Sequence, residues 1–246
     1  MIEAGSLEYA HARLCARFGS RADELVWRRI EMIRDLAALL DAARPSPLGT
    51  WVRGIVPQAD VHTIERSLRE HMRTRIRTIA GWMPPSWRPA IDWCAALVDL
   101  PMLQHVARGG PPPAWVRDDS TASDLQSAVP KGSLAALAPA TADPDRMGAL
   151  WRAEWRRRLP ARGISPLLMD FAALVSAHAL LFRDPRLADG WAERRALHAR
   201  LTQMFRRATL DPAAAFIFLA LSALDGERLR AEIVQRAVFP RLPLAS

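Results

Sequence analysis

With 246 residues, 50% of them hydrophobic and 24% charged, the chain is long enough for one large core or two smaller ones, and its composition excludes a disordered or low-complexity protein. The formal net charge of +8 favours an anionic partner such as nucleic acid, a lipid surface or an acidic protein. Lys131 is the only lysine, however, and a composition so dominated by arginine reflects coding bias as much as phosphate binding.

The opening residues Met1-Ile2-Glu3-Ala4-Gly5 have no basic stretch followed by an apolar one, so no secretory signal is expected and the cytoplasm is the expected compartment. Leu7, Ala10, Leu14 and Phe18 recur at helical spacing and predict a first helix that Gly19-Ser20 interrupts. Ser20 with Asp23 can form a capping box for a second, longer helix. On it Val26, Ile30, Ile33, Ala37 and Leu40 line one face before Arg44-Pro45 ends it. A strongly amphipathic helix is predicted over 60–80, with Ile64, Leu68, Met72, Ile76 and Ile79 on one side and Arg66, Arg69, Arg73 and Arg77 on another.

Pro89 suits the first turn of the next helix, which runs to about Val98. Asp99 before Pro101 is a plausible cap for a short helix that Gly109-Gly110 stops. Residues 109–133, rich in Pro, Gly, Ser, Thr and Asp, form the clearest linker candidate. They separate an N-terminal helical unit, 1–108, from a C-terminal one, 134–246.

In the second unit Met147, Trp151, Trp155 and Leu159 share a helical face expected to be core, and 164–182 forms a largely apolar helix. After a turn at Asp184-Pro185, amphipathic helices cover 187–208 and 227–238. Asp211-Pro212 opens an apolar helix between them that ends near Leu224, followed by Asp225-Gly226. The apolar stretches 167–182 and 213–224 are shorter than the roughly 20 residues that cross a bilayer and are expected to be buried. Nothing alternates with the period of a strand, so the expected fold class is all-α.

The two units show an ordered internal repeat. Leu68, Met72, Ile76 and Arg77 correspond to Leu197, Leu201, Phe205 and Arg206 at a separation of 129 positions. Pro89 and Pro212 each head an apolar helix. Val98-Asp99 followed by Leu103 matches Leu224-Asp225 followed by Leu229 at a separation of 126. The expected architecture is therefore two pseudo-repeated multi-helix units forming a socket.

On these residues the chain resembles the C-subunit family of V-type and A-type rotary ATPases, whose eukaryotic members are termed d. The segment 99–108, Asp-Leu-Pro-Met-Leu-Gln-His-Val-Ala-Arg, resembles one copy of the family's repeated unit, and 225–234, Asp-Gly-Glu-Arg-Leu-Arg-Ala-Glu-Ile-Val, resembles another. The opening Tyr9-Ala10-His11-Ala12-Arg13 is also similar to the family's start. Two units are found here where the family usually has three, Met102 stands where Asn is frequent, and the Trp-rich segments are not family hallmarks. The resemblance implies a non-catalytic connector, peripheral at the cytoplasmic face of a membrane. It would join the central stalk to the proteolipid ring of a proton- or sodium-translocating ATPase, with no nucleotide or other cofactor of its own.

Catalytic and metal patterns are sparse. No Gly-rich phosphate loop occurs. His11 and Cys15 stand four apart without further ligands at a zinc spacing, and read as a packed Cys beside a partly exposed His. Asp118, Asp119 and Asp124 lie in the linker and read as a solvated loop. His178 reads as a hydrogen-bonded core histidine, with Asp170 a possible neighbour. Arg66, Arg69, Arg73 and Arg77 fall within about 80° on a helical wheel. They read as a solvated face or as a partner-binding one, for an acidic protein of the stalk or, in the alternative of a basic nucleic-acid-binding module, for phosphate. Arg75 falls inside the apolar stripe and should snorkel outward or pair with a buried carboxylate.

Overall fold

The computed structural model describes residues 2–112, 132–141, 143–182 and 188–239, and every regular element among them is helical. Helix α1 (Ile2–Gly19) buries Ala10 and Leu14 and stops at Gly19. Helix α2 (Glu24–Met32) is opened by Asp23, whose carboxylate accepts the Val26 N–H at 2.9 Å. Ser20, the expected cap, instead donates to the Arg17 carbonyl at 3.1 Å.

The single long helix expected across Val26 to Leu40 is two. Ile33 is extended and Asp35 accepts the Ala38 N–H at 2.9 Å, starting α3 (Leu36–Ala43). The aspartate side chain offers the backbone a new beginning that competes with continuing the old helix. After the short α4 (Gly49–Val52), Asp60 caps α5 (Val61–Trp82) through the Thr63 N–H at 2.7 Å.

Pro89 lies in the first turn of α6 (Arg88–Asp92), as expected, and a 3-10 turn (Trp93–Ala95) leads into α7 (Ala96–Ala107). The expected stop at Asp99 does not occur. The helix runs through Pro101 because Met102 and Leu103, immediately beyond, bury against the core and offset the missing N–H. Gly109 ends α7 with φ 85°, and the Gly110 N–H reaches back to the His105 carbonyl at 3.0 Å.

A 3-10 stretch (Gly132–Thr141) and a 3-10 turn (Pro144–Arg146) precede α8 (Met147–Arg158). Then come α9 (Pro166–Leu181), capped by Ser165, and α10 (Gly190–Arg207), capped by Asp189. Asp211 accepts the Ala213 N–H at 2.8 Å at the start of α11 (Ala213–Val238). The expected break at Asp225-Gly226 is absent and α11 is one helix of 26 residues. A Cβ on Gly226 would lie 3.0 Å from the Trp51 ring. The glycine therefore marks a close approach to α4 rather than a helix end.

The larger core cluster joins α1, α5, α6 and α7 to α8, α9, α10 and the first half of α11. A second cluster packs Leu229 and Ile233 of α11 against α2, α3, α4 and α5. The units 1–108 and 134–246 thus do not bury separate cores; α11 serves both clusters. Trp93 and Trp151 fix the two segments to each other, each indole N–H donating to the other's carbonyl at 3.0 and 3.3 Å. Trp151 is half-buried and Trp155 buried. Most of the linker candidate, 113–131, the aspartates 118, 119 and 124, and Asp184-Pro185 lie outside the described residues.

Of the two apolar stretches, only the one in α11 is buried throughout its first turns. Helix α9 buries just Leu168 and Phe171 and leaves Met169, Leu180 and Leu181 more than 40% exposed. Among the described residues no helix is long and apolar enough to cross a membrane.

Candidate functional site

The four arginines expected to share one face of α5 are divided by the fold. Arg73 is only 6% exposed, ion-paired with Asp99 of α7 and 3.5 Å from Glu70. Arg69 donates to the Val98 carbonyl at 3.1 Å and lies 4.0 Å from Glu65. Burial pulls its pKa below the ordinary guanidinium range, and Glu65 opposes that pull. Arg77 is exposed and paired with Glu70, and Arg66 is exposed.

A wheel drawn for one covered face fails here because α5 is packed by α11 on one side and by α6 and α7 on another. Arg69 and Arg73 therefore stabilise the interior, and only Arg66 and Arg77 face outward. Arg75 keeps its place in the apolar stripe. Its guanidinium lies over the Trp51 ring at 4.6 Å and donates to Ser222 Oγ at 3.2 Å and Thr50 Oγ1 at 3.4 Å. Burial lowers its pKa and the nearby Asp225 charge raises it.

The densest arrangement of charge surrounds Asp225, at the middle of α11. Asp225 is 6% exposed, and its carboxylate receives two hydrogen bonds from Arg21, at 2.9 and 2.8 Å. A second N–H of the same Arg21 nitrogen reaches His198 Nε2 at 2.7 Å. A guanidinium only donates, so this contact requires a neutral imidazole carrying its proton on Nδ1. Burial and the Arg21 charge hold the His198 pKa below the usual value, as that geometry demands.

One turn further along α11, Arg228 lies over Trp27 at 4.6 Å and binds Glu31 and Glu24, while Arg230 binds Glu65 and Arg236 donates to the Ile33 carbonyl at 2.6 Å. The second half of α11 is thereby tied to α2 and α5. Chemically these groups hold the fold: Asp225 is occupied by Arg21, Asp99 by Arg73, and neither carboxylate is open to a substrate. The sequence signal for the cluster was an aspartate inside an otherwise apolar run, but Arg21 and His198 are 204 and 27 residues from it and carry no local mark of belonging there.

The remaining candidates are also relocated. Cys15 is exposed rather than packed, its Sγ 3.4 Å from His11 Nε2, while His11 is partly exposed as expected. Cys94 is buried, and burial pushes its thiol up to about 12. His178 is half-buried near the C-terminal end of α9 and meets Phe182 edge-on, ring centres 5.0 Å apart, so it is not a core histidine; Asp170 is exposed. Among the described residues no group of three His, Cys, Asp or Glu side chains could hold a metal ion. Open depressions of the described surface include a groove of about 430 Å³ between Trp87, Pro160 and Pro212 and one of about 590 Å³ beside Asp35, Asp60 and Arg236. Compared with protein-family models, curated proteins and solved structures, the chain matches none.

Proposed function

We propose that this chain is a non-catalytic connecting component of a larger protein assembly, and that the assembly is a V-type or A-type rotary ATPase, as the resemblance in its sequence implies. The observation that carries the reading is the placement of the two resemblance segments. Each begins on an aspartate within a helical run, and each aspartate is buried and held by an arginine: Asp99 by Arg73 of α5, and Asp225 by Arg21, which precedes α2. The leucine four positions on, Leu103 or Leu229, is buried in both. The shared buried aspartates, their arginine partners and the buried leucines support a duplicated helical unit, the expected plan of such a connector. They also assign the motif residues to rigidity, which is what transmitting torque requires.

The alternative of a nucleic-acid-binding module relied on four arginines presenting one stripe to phosphate. With Arg69 and Arg73 turned inward, that reading retains the net charge alone. The test is affinity purification of the tagged full chain from its own cells. Co-purification of proteolipid-ring and central-stalk proteins is expected, and recovery of a different stoichiometric assembly would overturn the ATPase assignment while keeping the connector. Recovery of the chain without stoichiometric partners would overturn both.

A further inference from the structure

The loops that follow α5, α8 and α10 converge around the start of α11, where Pro84 and Trp87, Pro160 and Arg162, and Pro212 line one groove. Residues 81–91, 155–169 and 202–210 contain seven arginines and neither aspartate nor glutamate. The carboxylates beside them in the chain are Asp92, Glu154, Asp170 and Asp211, so this end of the molecule stays net positive. Glu154 is already held by Arg157 and Arg158, and Asp211 accepts from Ser165 and the Ala213 N–H. Arg156, Arg162, Arg206 and Arg207 are exposed, and none of the four pairs with a carboxylate among the described residues.

Two apolar side chains project from this basic ground. Ser165 and Asp211 start α9 and α11, and Ser165 Oγ donates to Asp211 Oδ1 at 2.9 Å. That bond brings the residues just before them, Ile164 and Leu210, to one place on the surface, where they are 43% and 47% exposed. Leu210 is also the one non-glycine residue among the described residues with a positive φ, 55°. A leucine Cβ is crowded by the backbone in that conformation, and glycine would not be. Leu210 therefore costs stability through its backbone and regains little of it by burial. A large apolar side chain kept under both penalties points to a use outside the fold.

We propose that this end docks on a lipid bilayer carrying anionic headgroups, with Ile164 and Leu210 entering the interface and the unpaired arginines meeting phosphates around them. The inference is independent of the connector reading. Two features select lipid over a nucleic acid or an acidic protein. The four arginines come from the last turn of α8, the loop beyond it and the last turn of α10, and no ion pair fixes any of them; a layer of mobile phosphates meets such a scattered set without a matching rigid pattern. The apolar tips need an apolar medium just beneath that phosphate layer, which a bilayer interface supplies. Neither charge nor two apolar side chains alone anchors a protein firmly, and here both signals share one end.

Co-sedimentation of the purified full chain with vesicles tests this. Vesicles of equimolar phosphatidylglycerol and phosphatidylcholine should bind the chain, phosphatidylcholine alone should bind it little, and added salt should weaken the binding. Arg206→Ala with Arg207→Ala should weaken it about tenfold or more. Arg53→Ala with Arg66→Ala removes the same charge from exposed residues beside the second core cluster and should change it less than about twofold. Leu210→Gly should lower vesicle affinity several-fold while thermal melts show equal or greater stability, a combination that a structural role for this leucine would not give.

Depth is read by an environment-sensitive dye on Leu210→Cys in a Cys15→Ser background, with Cys94 buried. Its emission should shift to the blue on the mixed vesicles. The same dye on Met32→Cys, an exposed position on α2, should not shift. The far half of α11, which meets α2, ends about 35 Å from the proposed contact at 1.5 Å per residue. Absence of vesicle binding at low salt, equal binding to both vesicle types, equal effects of the two arginine pairs, or a Leu210→Gly variant that loses stability and keeps its affinity overturns the proposal. Retention on polyglutamate without vesicle binding would also overturn it, assigning the surface to a soluble acidic partner. All of these are read on the purified chain, so they stand apart from whether ATPase components co-purify.

Discussion

Replacing Asp225 by Asn keeps the shape of the side chain and removes the countercharge from one of the most enclosed arginine contacts among the described residues. Asp225 is 6% exposed and the Arg21 side chain 11%, and two charge-assisted hydrogen bonds of 2.9 and 2.8 Å join them. Breaking a buried pair by removing one partner costs about 3–5 kcal/mol, because the other charge stays buried without compensation. Asparagine retains one carbonyl acceptor but turns an amide N–H2 toward the guanidinium, and Arg75 also loses a nearby negative charge. A loss of about 3 kcal/mol is therefore expected, the lower end of that range.

Urea titration at neutral pH, followed by circular dichroism, measures this as a lower midpoint at unchanged slope. The double variant Arg21→Met with Asp225→Leu removes both charges and should be less destabilised than the sum of its singles by about 2 kcal/mol or more. Asp225→Asn within about 0.5 kcal/mol of the wild type, or strict additivity in the cycle, would refute the assignment of this pair as a stabilising junction.

Other outcomes follow from the same geometry. Gly226→Ala gains about 1 kcal/mol of helix propensity yet drives a methyl group against Trp51, a buried ring covered by Arg75. Thermal melts should show a net loss of about 1–2 kcal/mol, and in a Trp51→Leu background the same change should become neutral or stabilising. His198 titrates below its usual value in the folded chain, so the unfolded chain takes up this proton at higher pH. Its contribution to stability is full above about pH 6.5 and declines as pH falls through the folded pKa. The decline should flatten in His198→Gln, as read from urea midpoints across that window. In the groups facing this imidazole, Arg21 and Arg228 act against protonation, Asp225 and Glu24 for it. Iodoacetamide should alkylate Cys15 in the native protein and Cys94 only on unfolding, because Cys94 is buried with its thiol pushed up to about 12; equal labelling rates by mass spectrometry would contradict the packing around α6.

Features of the fold that depend on a few neighbouring residues were legible in the chain. Asp60 and Asp211 start helices because their carboxylates reach backbone N–H groups two or three residues on, and Gly109 ends one because its φ of 85° suits no other residue as well. Misread features depend on what arrives from elsewhere. Pro101 and Asp225-Gly226 look like stops, yet the helices continue because Met102, Leu103 and Leu229 are buried beyond them. Arg73 looks solvated on a wheel, but α7 brings Asp99 to it. Helix α9 looks like core by composition, while the fold supplies a neighbour for one of its two apolar sides. The Asp225 cluster draws on Arg21, Arg75 and His198, from separate parts of the chain whose meeting no local pattern announces.

The indoles of Trp93 and Trp151, each holding the other's backbone, and the α11 helix shared by both core clusters give the protein a particular thermodynamic character. Each half behaves toward the other as a ligand that binds only the folded form, at the high effective concentration that a shared chain provides. Melting the N-terminal helices strips α11 of the surface that orders it, and loss of α11 leaves α5 exposed along its apolar side. A pull applied to one end would therefore meet the resistance of the whole molecule, with no intermediate in which half the chain stands alone.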